Sequence, residues 1–274
     1  LKRKKAINVT KHIVLIITAL FVLLPLLWIL SQSFKNSFDA IASPPKFLFQ
    51  PILSNYINTI HREGFLNAFR DSLVVSLGSI LLTLAIGTPF GYVLSRFSFR
   101  GKEDIGFYIL STRMLPPIVV IVPFVRIFNA FGLLDSYFGL IIAGILVNLA
   151  LVVWMMRAFF LGVPQEIEEA ALIDGCTRLE ALRRVVMPLI SPGLVATAVL
   201  SFLFSWNEFI FALSLTSFNV RTLPVYMATE FVGYLATDWG GLSAAGVLAT
   251  LPGLIFIIAI QKYLVRGLTF GAIK

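Results

Sequence analysis

The chain has 274 residues, of which 58% are hydrophobic and only 13% charged, and its mean hydropathy is +0.91. A soluble domain averages about 45–50% apolar and about 25% charged residues, and it needs enough polar surface to stay in water; a large soluble catalytic domain is excluded, and an integral membrane protein is implied. The formal charge of +8 and the pI near 9.8 would suggest nucleic acid in a soluble chain, but here the basic residues gather at the ends of apolar segments, which reports topology and implies no nucleic-acid partner.

Apolar runs of spanning length fall at about 13–33, 68–94, 105–128, 138–160, 192–216 and 243–265, each near the roughly 20 residues that a helix needs to cross a bilayer. They are continuously apolar and do not alternate, so helices are the spanning form that satisfies their backbones in lipid. The expected fold is all-α and polytopic, with six transmembrane helices in one transmembrane domain over residues 1–274. Lys2-Arg3-Lys4-Lys5 before the first run imitates a secretory signal, but the run is long and no small-residue cleavage site follows. With the N-terminus inside, fifteen basic residues lie on the cytoplasmic side: Lys2, Arg3, Lys4, Lys5, Lys11, Arg96, Arg100, Lys102, Arg157, Arg178, Arg183, Arg184, Lys262, Arg266 and Lys274. Five lie opposite, namely Lys35, Lys46, Arg62, Arg70 and Arg221. Positive-inside bias therefore predicts cytoplasmic N- and C-termini and a cytoplasmic loop over about 161–191.

The outer connection over about 34–67 is too long for a tight turn and polar enough to fold over an outer mouth. In the second span Gly87 and Gly91 form a small-xxx-small pair that suits helix packing. In the third, Arg113 lies about nine residues in, where lipid exposure would cost about 2.5–3.5 kcal/mol. It is expected to face protein or water, either lining a cavity or closing a structural ion pair. Pro116 and Pro117 remove two backbone donors and should bend or break that helix. Asn148 in the fourth span and Thr250 in the sixth are weaker pathway candidates.

The cytoplasmic loop carries dense start and stop signals. Pro164 suits a first helical turn, Glu166, Glu168 and Glu169 complement its positive end, and Gly175 suits the left-handed residue that closes it. Thr177-Arg178-Leu179-Glu180 reads as a capping box for a second helix running to Pro188, on which Glu180 can pair with Arg183 or Arg184. Ser191 and Pro192 then open the fifth span. Ile167, Ala170 and Ala171 share one face of the first helix and suit close approach of another surface. The alternative is an amphipathic segment lying on headgroups, which the acidic first turn fits poorly.

In the fifth span Ser201, Ser205, Glu208 and Ala212 fall at i, i+4, i+7 and i+11, one helical face and the best candidate for a pathway wall. Asn207 lies beside it, and Trp206 offers a flat surface for a sugar ring. The bland alternative has the serines bonding their own helix, Trp206 packing in the core and Glu208 pairing with Arg113 or a partner. The lone Cys176 allows no intrachain disulfide, and the distant His12 and His61 offer no metal-ligand spacing. There is no Gly-x-x-x-x-Gly-Lys-Ser/Thr loop and no catalytic set, so no enzyme activity, bound cofactor or metal is expected.

Glu169-Ala170-Ala171, three residues, Gly175, nine residues, then Val185-x-Met187-Pro188 resembles the cytoplasmic signature of the membrane subunits of binding-protein-dependent ABC importers. Val185 and Met187 depart from the family's Ile and Leu but keep apolar character. Arg113-Met114-Leu115-Pro116-Pro117, Ser205-Trp206-Asn207-Glu208-Phe209 and the terminal Gly267-Leu268-Thr269-Phe270-Gly271-Ala272-Ile273-Lys274 look like carbohydrate-importer permeases related to the maltose system's smaller membrane subunit. The resemblance implies that the loop is a coupling helix seated in an ATPase subunit, with Glu169, Ala170, Ala171, Asp174, Gly175 and Pro188 at the contact. It implies a substrate pathway near Arg113, Asn148, Ser205, Trp206, Asn207 and Glu208. It further implies a second, related permease, two ATP-binding cassette subunits that use ATP and magnesium, a periplasmic binding protein, a saccharide substrate, surrounding lipid and a bacterial inner-membrane location. A secondary transporter or channel subunit is the competing class; it would need intramembrane ion sites and no docking loop.

Overall fold

The computed structural model describes residues 2–233 and 236–269, and it is helical almost throughout. Among these residues the β feature is an isolated bridge between Val232 and Thr237. Five helices are long and apolar enough to cross a membrane, or six when one bent pair is taken as a single span. The chain divides into two compact units.

One unit takes in the residues up to Leu66 together with Tyr226–Leu251. It begins with α1 (Lys2–Ser33), whose Leu15, Phe21 and Leu24 are all exposed; such a surface is stable only against lipid or another apolar face. The connection that follows holds two short helices, α2 (Ser37–Ala40) and α3 (Ser54–His61). Lys35 is buried under the rings of Trp28 and Phe49, 4.6 and 5.2 Å from their centroids. Asn55 Nδ2 donates to the carbonyls of Ser33 and Lys35 and so fixes α3 on the end of α1.

The other unit comprises Asn67–Val225 and the chain from Pro252 on. Here α4 (Phe65–Arg96) crosses against α7 (Tyr137–Leu161). Their backbones approach at the predicted glycine pair: a Cβ on Gly87 would lie 2.6 Å from Val152, and one on Gly91 would lie 2.9 Å from the Arg157 nitrogen. Between them the third span is broken. α5 (Lys102–Thr112) and α6 (Pro117–Ala130) meet at 93°, the break expected at Pro116 and Pro117 within the apolar run over 105–128. Pro116 has φ −60 and ψ 130, as an extended residue before Pro117 must, because proline's ring disfavours helical geometry in its predecessor.

After α7 come the short helices α8 (Gln165–Ile173) and α9 (Arg178–Ala181), then a wide π turn at Leu182–Val186 that runs straight into α10 (Met187–Trp206). Two expectations are corrected at this point. The second loop helix does not stop at Pro188, and Ser191-Pro192 does not start a new helix; Arg178–Trp206 is one continuous span. The π turn lets the chain pass Pro188: Met187 N–H donates to Leu182 O, five residues back, and a widened turn relieves the donor and space that proline takes away. The fifth span also ends earlier than the predicted 192–216, because α10 stops at Trp206 and a separate α11 (Ile210–Leu215) follows. α12 (Leu223–Glu230) and α13 (Trp239–Thr269) complete the chain.

Candidate functional site

Three hydrogen bonds shape the turn after α8. Gly175 N–H donates to Leu172 O at 3.1 Å and Cys176 N–H to Ala171 O at 3.0 Å, the paired bonds of a Schellman ending, while Asp174 N–H reaches Ala170 O at 2.9 Å. Gly175 has φ +92, and a Cβ there would meet nothing within 4 Å. Its constraint is therefore conformational and not spatial. The capping box forms as expected: Glu180 N–H donates to Thr177 Oγ1 at 3.3 Å, and Thr177 N–H donates to Glu180 Oε2 at 2.9 Å. Arg184, not Arg183, reaches Glu180, at 3.8 Å.

Burial sorts the residues of α8 into two faces. Glu169, Ala170, Asp174 and Gly175 are exposed, as is Pro188 on α10, and Ile173 is 86% exposed. Ala171 and Glu168 are buried. The anticipated close-approach face of Ile167, Ala170 and Ala171 is thus divided: Ala171 turns into its own chain, whereas Ile167 and Ala170 stay exposed, with Ile173 beyond them. Sequence reading also missed Arg96. Its Nε donates to Glu168 Oε2 at 2.9 Å and an NH group to Val163 O at 2.8 Å, while the Tyr92 hydroxyl donates to Glu168 Oε1. Residues that signal this bracket lie over 60 positions apart in the chain, so no local pattern announces it. An apolar cleft of about 380 Å³ opens beside the root of α8, lined by Phe159, Val163, Ile167, Leu189 and Gly193 among others.

Within the membrane part, the proposed wall changes shape. Ser201 and Ser205 share a buried face of α10, but Glu208 leaves it, because the helix ends first. Glu208 Oε1 and Oε2 accept from the N–H groups of Phe211 and Ala212 at 2.8 and 2.9 Å, holding the start of α11 as a cap does. It does not pair with Arg113, which is exposed at the end of α5 with its guanidinium 4.7 Å from the Phe204 ring centroid. Asn207 is exposed and donates from Nδ2 to Leu203 O at 2.7 Å. Trp206 packs in the core between Phe69 and Phe202. Asn148 is buried and donates to Gly144 O at 3.0 Å.

A second polar row went unread. Ser72, Ser76, Ser79 and Thr83 on α4 are all buried, at the helical spacing i, i+4, i+7 and i+11 that was visible beforehand. This row meets α7 and α10 at Gly144, where a Cβ would stand 2.3 Å from Ser79 Oγ and 3.6 Å from Ser205 Oγ. Ser76 Oγ, Asn148 Oδ1, Ser201 Oγ and Thr222 Oγ1 are buried with no protein hydrogen-bond partner. Gly144, Ser205, Glu208 and Thr222 border a cavity of about 10 Å³, the size of one water molecule.

At the opposite end of α7 from α8, Asp135 has φ +52 and gathers the N–H groups of Ser217, Phe218, Asn219 and Val220 at 2.9–3.3 Å. Burial pushes its pKa up, but these four donors together outweigh burial and hold the carboxyl down to about 2.

Residues 87–270 match the family described as "Binding-protein-dependent transport system inner membrane component". The chain belongs to that family. Among its relatives, a probable ABC transporter permease protein, y4oR of Sinorhizobium fredii, is 35% identical over 258 residues, covering 94% of this chain and 92% of its own. The trehalose/maltose transport system permease protein MalG of Thermococcus litoralis is 32% identical over 277 residues, covering 97% of this chain and 98% of its own. A chain from the crystal structure of a bacterial ABC transporter involved in import of the acidic polysaccharide alginate superposes with a TM-score of 0.78 at 24% identity, covering 96% of this chain and 98% of that one; it supports the fold. The protein is thus a multi-pass membrane permease subunit of an ABC transporter, a non-catalytic component. Of the terminal motif, Phe270 to Lys274 lies outside the described residues.

Proposed function

We propose that this chain is one transmembrane permease domain forming half of an importer pathway for a saccharide or related glycoside, and that the α8 turn is the element that seats in an ATPase subunit. The observation that carries the coupling role is the exposed pair Glu169 and Ala170, with Ile173 beyond them, held on a helix whose far side is anchored and whose end is closed by a complete Schellman turn. A segment this firmly built with an apolar residue pointing outward suits docking into a cleft. The saccharide reading draws on the names of the relatives, one a trehalose/maltose permease and one a structure from an alginate importer.

In this reading the α8 side is cytoplasmic, as are both termini, in accord with the fifteen-to-five basic asymmetry. The chain works in a bacterial inner membrane beside a second, related permease and receives substrate from a periplasmic binding protein. ATP and magnesium belong to two partner ATPase subunits, and this chain binds no cofactor of its own. ATP binding draws the two ATPase subunits together, carries the α8 turns with them and rocks the permeases between inward and outward openings. Ser205, Asn207, Glu208, Arg113 and Asn148 are candidates for the substrate route. Of these, Asn207 and Arg113 are the side chains open to solvent in the isolated chain.

Reconstituting the chain with its permease and ATPase partners in proteoliposomes, and screening neutral and acidic saccharides with the cognate binding protein, tests the proposal. Saccharide-stimulated ATP hydrolysis with uptake is the expected result. Uptake driven by an ion gradient, without an ATPase partner, would replace it with the secondary-transporter reading.

A further inference from the structure

We infer that Arg96 is a positioning residue that locks α8 to the end of α4 through Glu168, so that the docking helix and the transmembrane helix move as one body. The inference rests on the coupling role proposed above and names the residues that would carry it inward.

Two adjacent acids on α8 have opposite surroundings. Glu169 faces outward, whereas the Glu168 side chain is 7% exposed and its partner Arg96 is 5% exposed. Both oxygens of Glu168 are engaged, one by Arg96 Nε at 2.9 Å and the other by the Tyr92 hydroxyl. Arg96 uses a second arm at the same time, 2.8 Å from Val163 O, immediately ahead of Pro164. One planar guanidinium therefore holds both the chain entering α8 and the first turn of α8 itself. A single-point lysine cannot hold two acceptors in this fixed geometry. Tyr92 in turn lies in a cluster with Met156 and Phe160 of α7 and Val186 and Ile190 of the span that follows, so the bracket is rooted in three membrane helices.

Stability alone does not account for such a pair. Taking two charges out of water is costly, and apolar side chains of similar volume often do as well or better. What charged, forked contacts add is direction: they allow one orientation of α8 relative to α4. Apolar packing at the same place permits sliding and rotation.

The test uses the full complex in proteoliposomes and reads substrate moved per ATP hydrolysed for Glu168→Gln, Arg96→Gln, the double variant and Arg96→Lys. With complexes that still co-purify and still hydrolyse ATP, each Gln variant is expected to lower that ratio about fivefold or more. The double variant should fall no further than the worse single one, and Arg96→Lys should lie between wild type and Arg96→Gln. An unchanged ratio in both single variants, or losses that multiply in the double, overturns the inference. Should a Gln variant fail to assemble, Arg96→Lys decides, and a wild-type ratio there overturns it. Gly175→Val separates the two levels. If it uncouples while the Arg96 and Glu168 variants stay coupled, the bracket fails and the docking role stands; if none of them changes the ratio, the docking role itself fails.

Discussion

The turn around α8 and the break between α10 and α11 are both interruptions of helix, yet they are built in opposite ways. At the α8 turn the caps close their bonds: a Schellman ending, a capping box and a two-armed arginine converge within twenty residues. At the α10–α11 break, Glu208 caps two donors, but Ser201 Oγ and Thr222 Oγ1 nearby lack protein partners and a water-sized cavity lies between the helices. Satisfied polar groups specify one geometry, whereas buried unsatisfied ones favour rearrangement or hydration. The difference teaches that the two breaks are held by different chemistry: closed hydrogen bonds fix the α8 turn, whereas the α10–α11 break keeps buried hydroxyls without protein partners.

The comparison can be broken at four points. The largest stability effect is expected from Glu208→Ala, which strands the N–H groups of Phe211 and Ala212; leaving buried donors unsatisfied costs about 1–3 kcal/mol. Thermal unfolding in detergent should show the loss, and an unchanged midpoint would mean that the break does not depend on Glu208. Next, Gly175→Val forces a branched residue into the left-handed region at about 1–2 kcal/mol, with transport falling much more than stability. Normal uptake by Gly175→Val would remove stiffness from the explanation.

A smaller, pH-dependent effect belongs to Asp135. Its folded pKa of about 2 lies below the ordinary 3.8, so its contribution is present above about pH 4 and is lost as pH falls toward 2. Asp135→Asn should lower the unfolding midpoint at neutral pH and remove part of its decline between pH 4 and 2; an acid profile matching wild type would contradict the clasp. The smallest effect is expected at Ser201→Ala, within about 0.5 kcal/mol of wild type, because the hydroxyl it deletes has no protein partner. A large loss there would show that the buried row is held by water.

Much of this was legible in the chain itself. Proline pairs, acidic first turns, Gly175 and Thr177-x-x-Glu180 act through bonds within a few residues, and the structure has each of those local features. The six apolar runs were equally readable, since lipid imposes its length on them. What failed was continuity. Pro188 and Pro192 suggested helix boundaries, but a π turn carried the helix past Pro188 and α10 simply continues through Pro192; Ser205 and Glu208 suggested a common face, but Glu208 found its donors on the next helix. Arg96–Glu168 was invisible because its partners are 72 residues apart, and nothing in the local pattern of either residue depends on the other.

Cysteine crosslinking between α8 and the ATPase subunit tests the coupling role most directly. In a Cys176→Ser background, Ala170→Cys should form a disulfide with a cysteine placed in the ATPase cleft, in both nucleotide-free and ATP-bound complexes, while Ala171→Cys, on the inward face, should not. Equal reaction at the two positions, or none at Ala170→Cys in an assembled and transporting complex, would contradict it.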